Sequence, residues 1–186
     1  RMKSLALVAF LFFGMTVFCF TSTFVSSEMP ELEEYKGLLE RLVGKPVTGT
    51  YRLIIASSTG EFMELSGLGY WFIAAAEDST IFVQPLSLVP NLTQTVAHEM
   101  CHLFLRQYRL PYWLEEGIVC YVTGEWIGRK ELILDRVESL DYSEMDFMTY
   151  RSYSFSCWVE VSKILRERTF GELVVALGEG VDEQVE

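Results

Sequence analysis

The chain has 186 residues, 50% of them hydrophobic and 22% charged, which suits one domain with a sizeable core and excludes a disordered or low-complexity chain. Lysine and arginine total 15 against 26 aspartates and glutamates, a net charge of −11, so the basic face that a nucleic-acid partner needs is lacking. Only two histidines occur, His98 and His102, and a single helical turn would separate them.

Arg1 and Lys3 precede an apolar run over residues 5–20, and a small polar stretch occupies 21–27. A basic start, an apolar middle and small residues such as Val25, Ser26 and Ser27 describe an export signal. A membrane span takes about 20 residues, so the run fits either a cleaved signal peptide or an uncleaved N-terminal membrane anchor over 1–27. Both readings export the chain. It is then secreted or extracytoplasmic, or associated with the membrane through residues 5–20.

The domain is expected over 28–186, a helix and a sheet over 28–90 and helices over 91–186. Leu32, Tyr35, Leu38, Leu39 and Leu42 recur at helical spacing over 31–43, and Gly44 and Pro46 stop the helix. Residues 50–57 read as a strand and 60–67 as a short helix closed by glycine. Two further strands, 70–76 and 80–84, flank a turn at Glu77, Asp78 and Ser79. A helical pattern begins at Asn91, with Asn91 and Thr93 as caps and a break at Pro111. Asn91-Leu92-Thr93 has the form of a glycosylation sequon, but Asn91 is better read as the cap. Residues 124–146 read as a loop with short elements, 152–168 and 172–177 as helices, and the acidic tail 179–186 as a solvated end. Trp113 and Trp158 are expected to anchor the core. Cys101, Cys120 and Cys157 are too widely spaced for a disulfide framework, leaving one pair plus a free thiol or three buried thiols.

Residues 98–102 read His98-Glu99-Met100-Cys101-His102. On a helix, positions i and i+4 share a face, so both imidazoles can reach one zinc ion. The glutamate between them can serve as general base. A catalytic site needs a third protein ligand, and with both histidines used it must be a carboxylate or a thiol. Glu115 and Glu116, at the start of the next predicted helix, offer two carboxylates, and periodicity does not choose between them. Cys101 is read as a small buried hydrophobe.

HEMCH followed by PYWLEEG resembles the gluzincin metallopeptidases, in particular the peptidase MA-like group, whose pattern is HExxH and then W-L-x-E-G. By that resemblance Glu116, directly before Gly117, is the third zinc ligand beside His98 and His102. Residues 60–67, 80–84 and 152–180 are similar to the group's short helix, its strand before the active helix and its closing helices. The resemblance implies an α+β fold, a small mixed β-sheet packed on the HExxH helix and followed by a helical C-terminal half. It also implies a Zn2+-dependent metallopeptidase that cleaves a peptide or protein substrate by a zinc-activated water, with Glu99 as general base. A tyrosine from a downstream helix would stabilise the oxyanion. Tyr150 and Tyr153 are the candidates, Tyr153 preferred because it opens the predicted closing helix. The strand over 70–76 would offer its edge to the substrate backbone. Val119 departs from the usual alanine, and Cys101 and Cys120 are unusual beside the ligands; if all three thiols crowd this region, oxidation could join Cys101 to Cys120. The alternative is a catalytically inactive peptidase-like domain that binds partners or metal, against which the intact Glu99 argues. An intramembrane protease is disfavoured by the polar flanks of the HExxH helix.

Overall fold

A computed structural model describes residues 22–23 and 29–182. Apart from a two-residue strand, the expected signal or anchor segment lies outside the described residues, as does the end of the acidic tail. That strand, β1 (Ser22–Thr23), pairs antiparallel with the start of β2 (Thr50–Ile55). Between them α1 (Leu32–Val43) buries Leu32 and Leu39 and ends at Gly44, whose φ of 70° lets its N–H close onto the Glu40 carbonyl.

The sheet is mixed, in the order β1-β2-β4-β3. β2 runs parallel to β4 (Thr80–Val83), and the crossover between them carries α2 (Thr59–Ser66), capped by Ser58, and then β3 (Ala74–Glu77). β3 turns back onto β4 through Asp78 and Ser79, both at positive φ, the two-residue turn whose hand matches strand twist. The third strand is therefore shorter than the expected 70–76. β4 runs out at Pro85, which has no N–H to donate, and the Gln84 amide instead donates to the Tyr70 and Phe72 carbonyls at 3.1 and 3.0 Å. Residues 70–73 are thus held at the end of the sheet without pairing in it beyond the Ile73 carbonyl.

α3 (Leu92–Leu105) carries both histidines. Asn91 caps it, its side chain accepting from the Gln94 N–H at 3.1 Å. Val96, Ala97, Met100, Cys101, Phe104 and Leu105 are buried in the main core against α1, the sheet and α4. A 3-10 turn at Arg106–Tyr108 and Arg109 in the left-handed region reverse the chain, and α4 (Tyr112–Thr123) returns along α3. α5 (Phe147–Glu167) then packs along α4, and α6 (Phe170–Asp182) closes against α1. Among the described residues no helix is long and apolar enough to cross a membrane.

Both closing helices start earlier than helical periodicity implies. Asp146 caps α5, accepting from the Thr149 N–H at 2.8 Å, so the helix begins at Phe147, five residues before the expected start at Ser152. Thr169 and Glu172 form a reciprocal capping box for α6. Tyr150, not Tyr153, therefore lies in the first turn of α5. The segment 124–146 has only two 3-10 turns, Val137–Ser139 and Tyr142–Glu144. Cys101, Cys120 and Cys157 are free and buried, and Cys101 and Cys120 sit in separate clusters, so these three cysteines of the described residues are thiols with no pair among them. Trp113 and Trp158 are partly buried against those clusters, as core anchors.

α4 and α5 approach each other closely at Gly117. A Cβ there would lie 2.5 Å from the Cys157 carbonyl oxygen and would also collide with a Val161 methyl. Only glycine lets α4 sit this close to α5, one residue from Glu116. Gly117→Ala is expected to destabilise the protein by about 1–3 kcal/mol, as overpacking does, read as a lower urea midpoint at unchanged slope.

Candidate metal centre

α3 stacks His98 and His102 one turn apart, with their Nε2 atoms 3.2 Å from each other. From α4, Glu116 brings Oε2 to 3.6 Å from His98 Nε2 and 3.2 Å from His102 Nε2. Glu116 is only 1% exposed, and apart from the two imidazoles no donor reaches that oxygen. Bonds of 2.0–2.1 Å around a tetrahedral ion set its ligand atoms about 3.3 Å apart. Two imidazole nitrogens and one carboxylate oxygen at mutual distances of 3.2–3.6 Å match that spacing.

An outer layer fixes how each ligand is aimed. His98 Nδ1 lies 2.9 Å from Glu125 Oε2, and His102 Nδ1 lies 2.7 Å from Glu115 Oε1. With each Nδ1–H given to a carboxylate, each Nε2 is directed at the common point. Glu116 Oε1 accepts the Ser154 hydroxyl at 2.7 Å. Ser154 Oγ in turn accepts Trp126 Nε1–H at 3.2 Å, and because indole can only donate, the serine hydrogen is left for Glu116. Cys120 Sγ packs 3.6 Å from the same oxygen. His98, Cys120 and Glu125 also cluster their donor atoms, but with Glu125 on His98 Nδ1 this second set is the outer layer of the first.

The electrostatics derive from this arrangement. Burial opposes charge on both imidazoles, but the carboxylates prevail: His98 is raised well above its ordinary pKa by Glu125 and Glu116, and His102 to about 9 by Glu115 and Glu116. Burial would raise Glu116 too, but the two imidazoles hold its carboxyl well below the usual range. Glu99, partly buried beside the histidines, is raised, first by burial, against the imidazoles and with Glu116 and Glu125 adding to it.

Tyr112, at the start of α4, lies with its ring parallel to the His102 imidazole, 6.1 Å between centroids, and its hydroxyl 2.9 Å from that of Tyr150. Tyr142 stacks on Tyr112 with ring centroids 3.6 Å apart. Burial pushes both Tyr112 and Tyr150 above their ordinary pKa, with Glu116 adding to each. Tyr153 is instead packed in an internal cluster with Val137 and Cys157, 1% exposed and with its hydroxyl against the Cys157 thiol.

Of the residues singled out from sequence, His98, His102 and Glu116 converge, Glu99 stands beside them, and Tyr153 does not join the hydroxyl pair. Glu115, the other carboxylate open as third ligand, serves His102 from the outer layer. Tyr112 and Cys120 lie four residues either side of Glu116, a helical spacing that could have marked them. Glu125 and Ser154 have no such signal, being 27 and 38 residues from the groups they hold. Compared with protein-family models, curated proteins and solved structures, the chain matches none.

The pKa shifts set the pH dependence of the metal-free protein. A raised imidazole pKa contributes stability that is complete below about 6.5 and lost as pH rises, through about 9 for His102. The depressed Glu116 pKa contributes stability present above about 4.5 and lost as pH falls. After chelator treatment, the cluster's contribution to the melting temperature is expected to be greatest between about pH 4.5 and 6.5 and to decline toward pH 9. Zinc added at pH 7 should release protons from both imidazoles, measurable in a weakly buffered titration.

Proposed function

We propose that the chain is a zinc-dependent metallopeptidase of the gluzincin type, hydrolysing bonds of a peptide or protein substrate. One observation carries the reading: His98 Nε2, His102 Nε2 and Glu116 Oε2 converge at ligand spacing, the buried carboxylate oxygen being met by no group other than those two imidazoles. Two imidazoles and one carboxylate suit zinc and leave room for a further, non-protein ligand. His98, at 17% side-chain exposure, is the most open of the three. When bound, the ion supplies Lewis acidity, polarising a carbonyl and acidifying a water.

The chain's own groups supply the rest. Glu99, with its raised pKa, is matched to take the proton of the attacking water and pass it to the leaving amine. Tyr112 and Tyr150 stay protonated far above neutral pH. Their mutual hydrogen bond uses one of the two hydroxyl hydrogens, leaving the other to donate to a developing oxyanion. Tyr150 takes the role for which the sequence pattern favours Tyr153.

The sheet edge supports a peptide substrate. β3 is the outermost strand beside β4, and the bond from Gln84 N–H to the Ile73 carbonyl fixes the alternation of its ladder. Ala74 and Ala76 then turn their backbone groups outward. Arg106 already holds the Ala76 carbonyl, which leaves Ala74 for an added strand. The apolar segment 5–20 supports an exported enzyme, secreted or anchored.

The purified protein is expected to hold about one zinc per chain and to cleave an unstructured protein such as casein. Glu99→Gln should keep the zinc and lose roughly 10²–10⁴-fold in rate, the range for a general acid or base. A protein that takes up no zinc would refute the reading, and one that takes up zinc but cleaves nothing would favour the inactive binding module. Ligand roles separate by calorimetry. Glu115→Gln should weaken zinc binding about 10–100-fold, as outer-layer changes do, and Glu116→Gln by more; the reverse order would exchange the two assignments.

A further inference from the structure

The segment between α4 and α5 is pinned to α5 at four points. Trp126 is buried and donates to Ser154, Glu131 pairs with Arg151, the Leu134 N–H donates to Ser156 Oγ at 2.8 Å, and Val137 is buried against Tyr153 and Cys157. The side chains between those points are turned away from the core: Ile127 is 74%, Leu132 70% and Ile133 58% exposed. Gly124 and Gly128, at φ of 65° and 76°, make the successive turns that place Ile127 outside. A loop pinned in this way holds three aliphatic side chains in water, and exposed apolar groups gathered in one place mark a site of contact.

The charge of the same stretch selects what it contacts. Arg129, Lys130 and Arg136 are exposed and make no ion pair among the described residues. Glu131 is answered by Arg151, so within residues 127–136 the three cations stand against Asp135 alone. On a chain of net charge −11 this is a locally basic surface. An anionic lipid surface uses both properties at once. Aliphatic side chains enter the boundary between headgroups and acyl chains, while Arg and Lys lay their stems along it and reach the phosphates. The acidic remainder of the chain is repelled by such a surface, which fixes the side that meets it. Glu125, beside Trp126 at the base of the loop, holds His98, so a bilayer in contact with this loop lies next to the candidate centre.

We propose that residues 127–136 are a lipid-docking loop, in which Ile127, Leu132 and Ile133 enter an anionic bilayer surface while Arg129, Lys130 and Arg136 meet its phosphates. This contact is separate from the apolar segment 5–20 and does not depend on what the centre cleaves. The test uses the full chain on vesicles of phosphatidylglycerol mixed with phosphatidylcholine brominated in its acyl chains, which quench an indole that enters them. Leu132→Trp adds an indole to the loop, and Met63→Trp adds one at an exposed position on α2 as the reference. The loop indole should be quenched and the reference should not. Combining Leu132→Trp with Arg129→Gln and Lys130→Gln should lower the ratio of docked to free loop about thirtyfold, each cation near an anionic surface being worth about fivefold. Both cations are exposed, so their loss leaves the fold intact. Quenching of Leu132→Trp no greater than that of Met63→Trp would overturn the proposal, since the segment 5–20 would then be all that brings the chain to the bilayer. Equal quenching on brominated phosphatidylcholine alone would overturn the anionic preference. A chain that dimerises without lipid, and is split by Leu132→Glu, would assign the face to a second copy instead.

Discussion

A carboxylate that is 1% exposed, as Glu116 is, must have its charge answered from close by, because taking an ion out of water costs several kcal/mol even after relaxation. The structure answers it from three directions. The imidazoles of α3 face one oxygen, the Ser154 hydroxyl of α5 donates to the other, and the adjoining Gly117 lets α4 come close enough to α5 for that bond to form. Three helices are thus held in register by the demands of one side chain. Removing any one answer leaves a buried charge that is only partly compensated.

The same demand organises what surrounds it. Each imidazole that faces Glu116 is itself held from behind, His98 by Glu125 and His102 by Glu115, so the centre is a nest of alternating charges in which acids and bases share protons. An ion at the centre would exchange those protons for a bond to metal without moving the groups, because the spacing already suits it. The irregular segment 124–146 owes its place to this nest: Glu125 and Trp126 enter the outer layer at its start, and Tyr142 covers Tyr112 further on. Its backbone is set by what those side chains hold rather than by a regular ladder.

Local patterns are legible where one residue type forces one conformation. Gly44 and Gly67 end α1 and α2, Asn91 caps α3, and the turn between β3 and β4 falls at Asp78 and Ser79. Elements are missed where the signal is a cap rather than a stripe. The start of α5, Phe-Met-Thr-Tyr-Arg, has no apolar period, and its helical state depends on the Asp146 side chain. Residues 70–73 look like a strand because they are aromatic and β-branched, but a strand needs a partner, and β4 ends at a proline before it can supply one.

For the candidate centre, sequence alone placed His98 and His102 on one face of a helix with Glu99 between them, because a four-residue spacing on a helix is a distance. Helical periodicity left two adjacent glutamates for the third position, and the family resemblance favoured Glu116. Which of the two faces the imidazole Nε2 atoms, and that the other serves His102 from behind, was decided by how α4 packs along α3. The placements of Glu125 and Ser154, and of the Tyr150 hydroxyl beside Tyr112 while Tyr153 packs internally, were likewise matters of tertiary structure. Each depends on bringing together groups from separate elements, and a separation along the chain of 27 or 38 residues does not encode a separation in space.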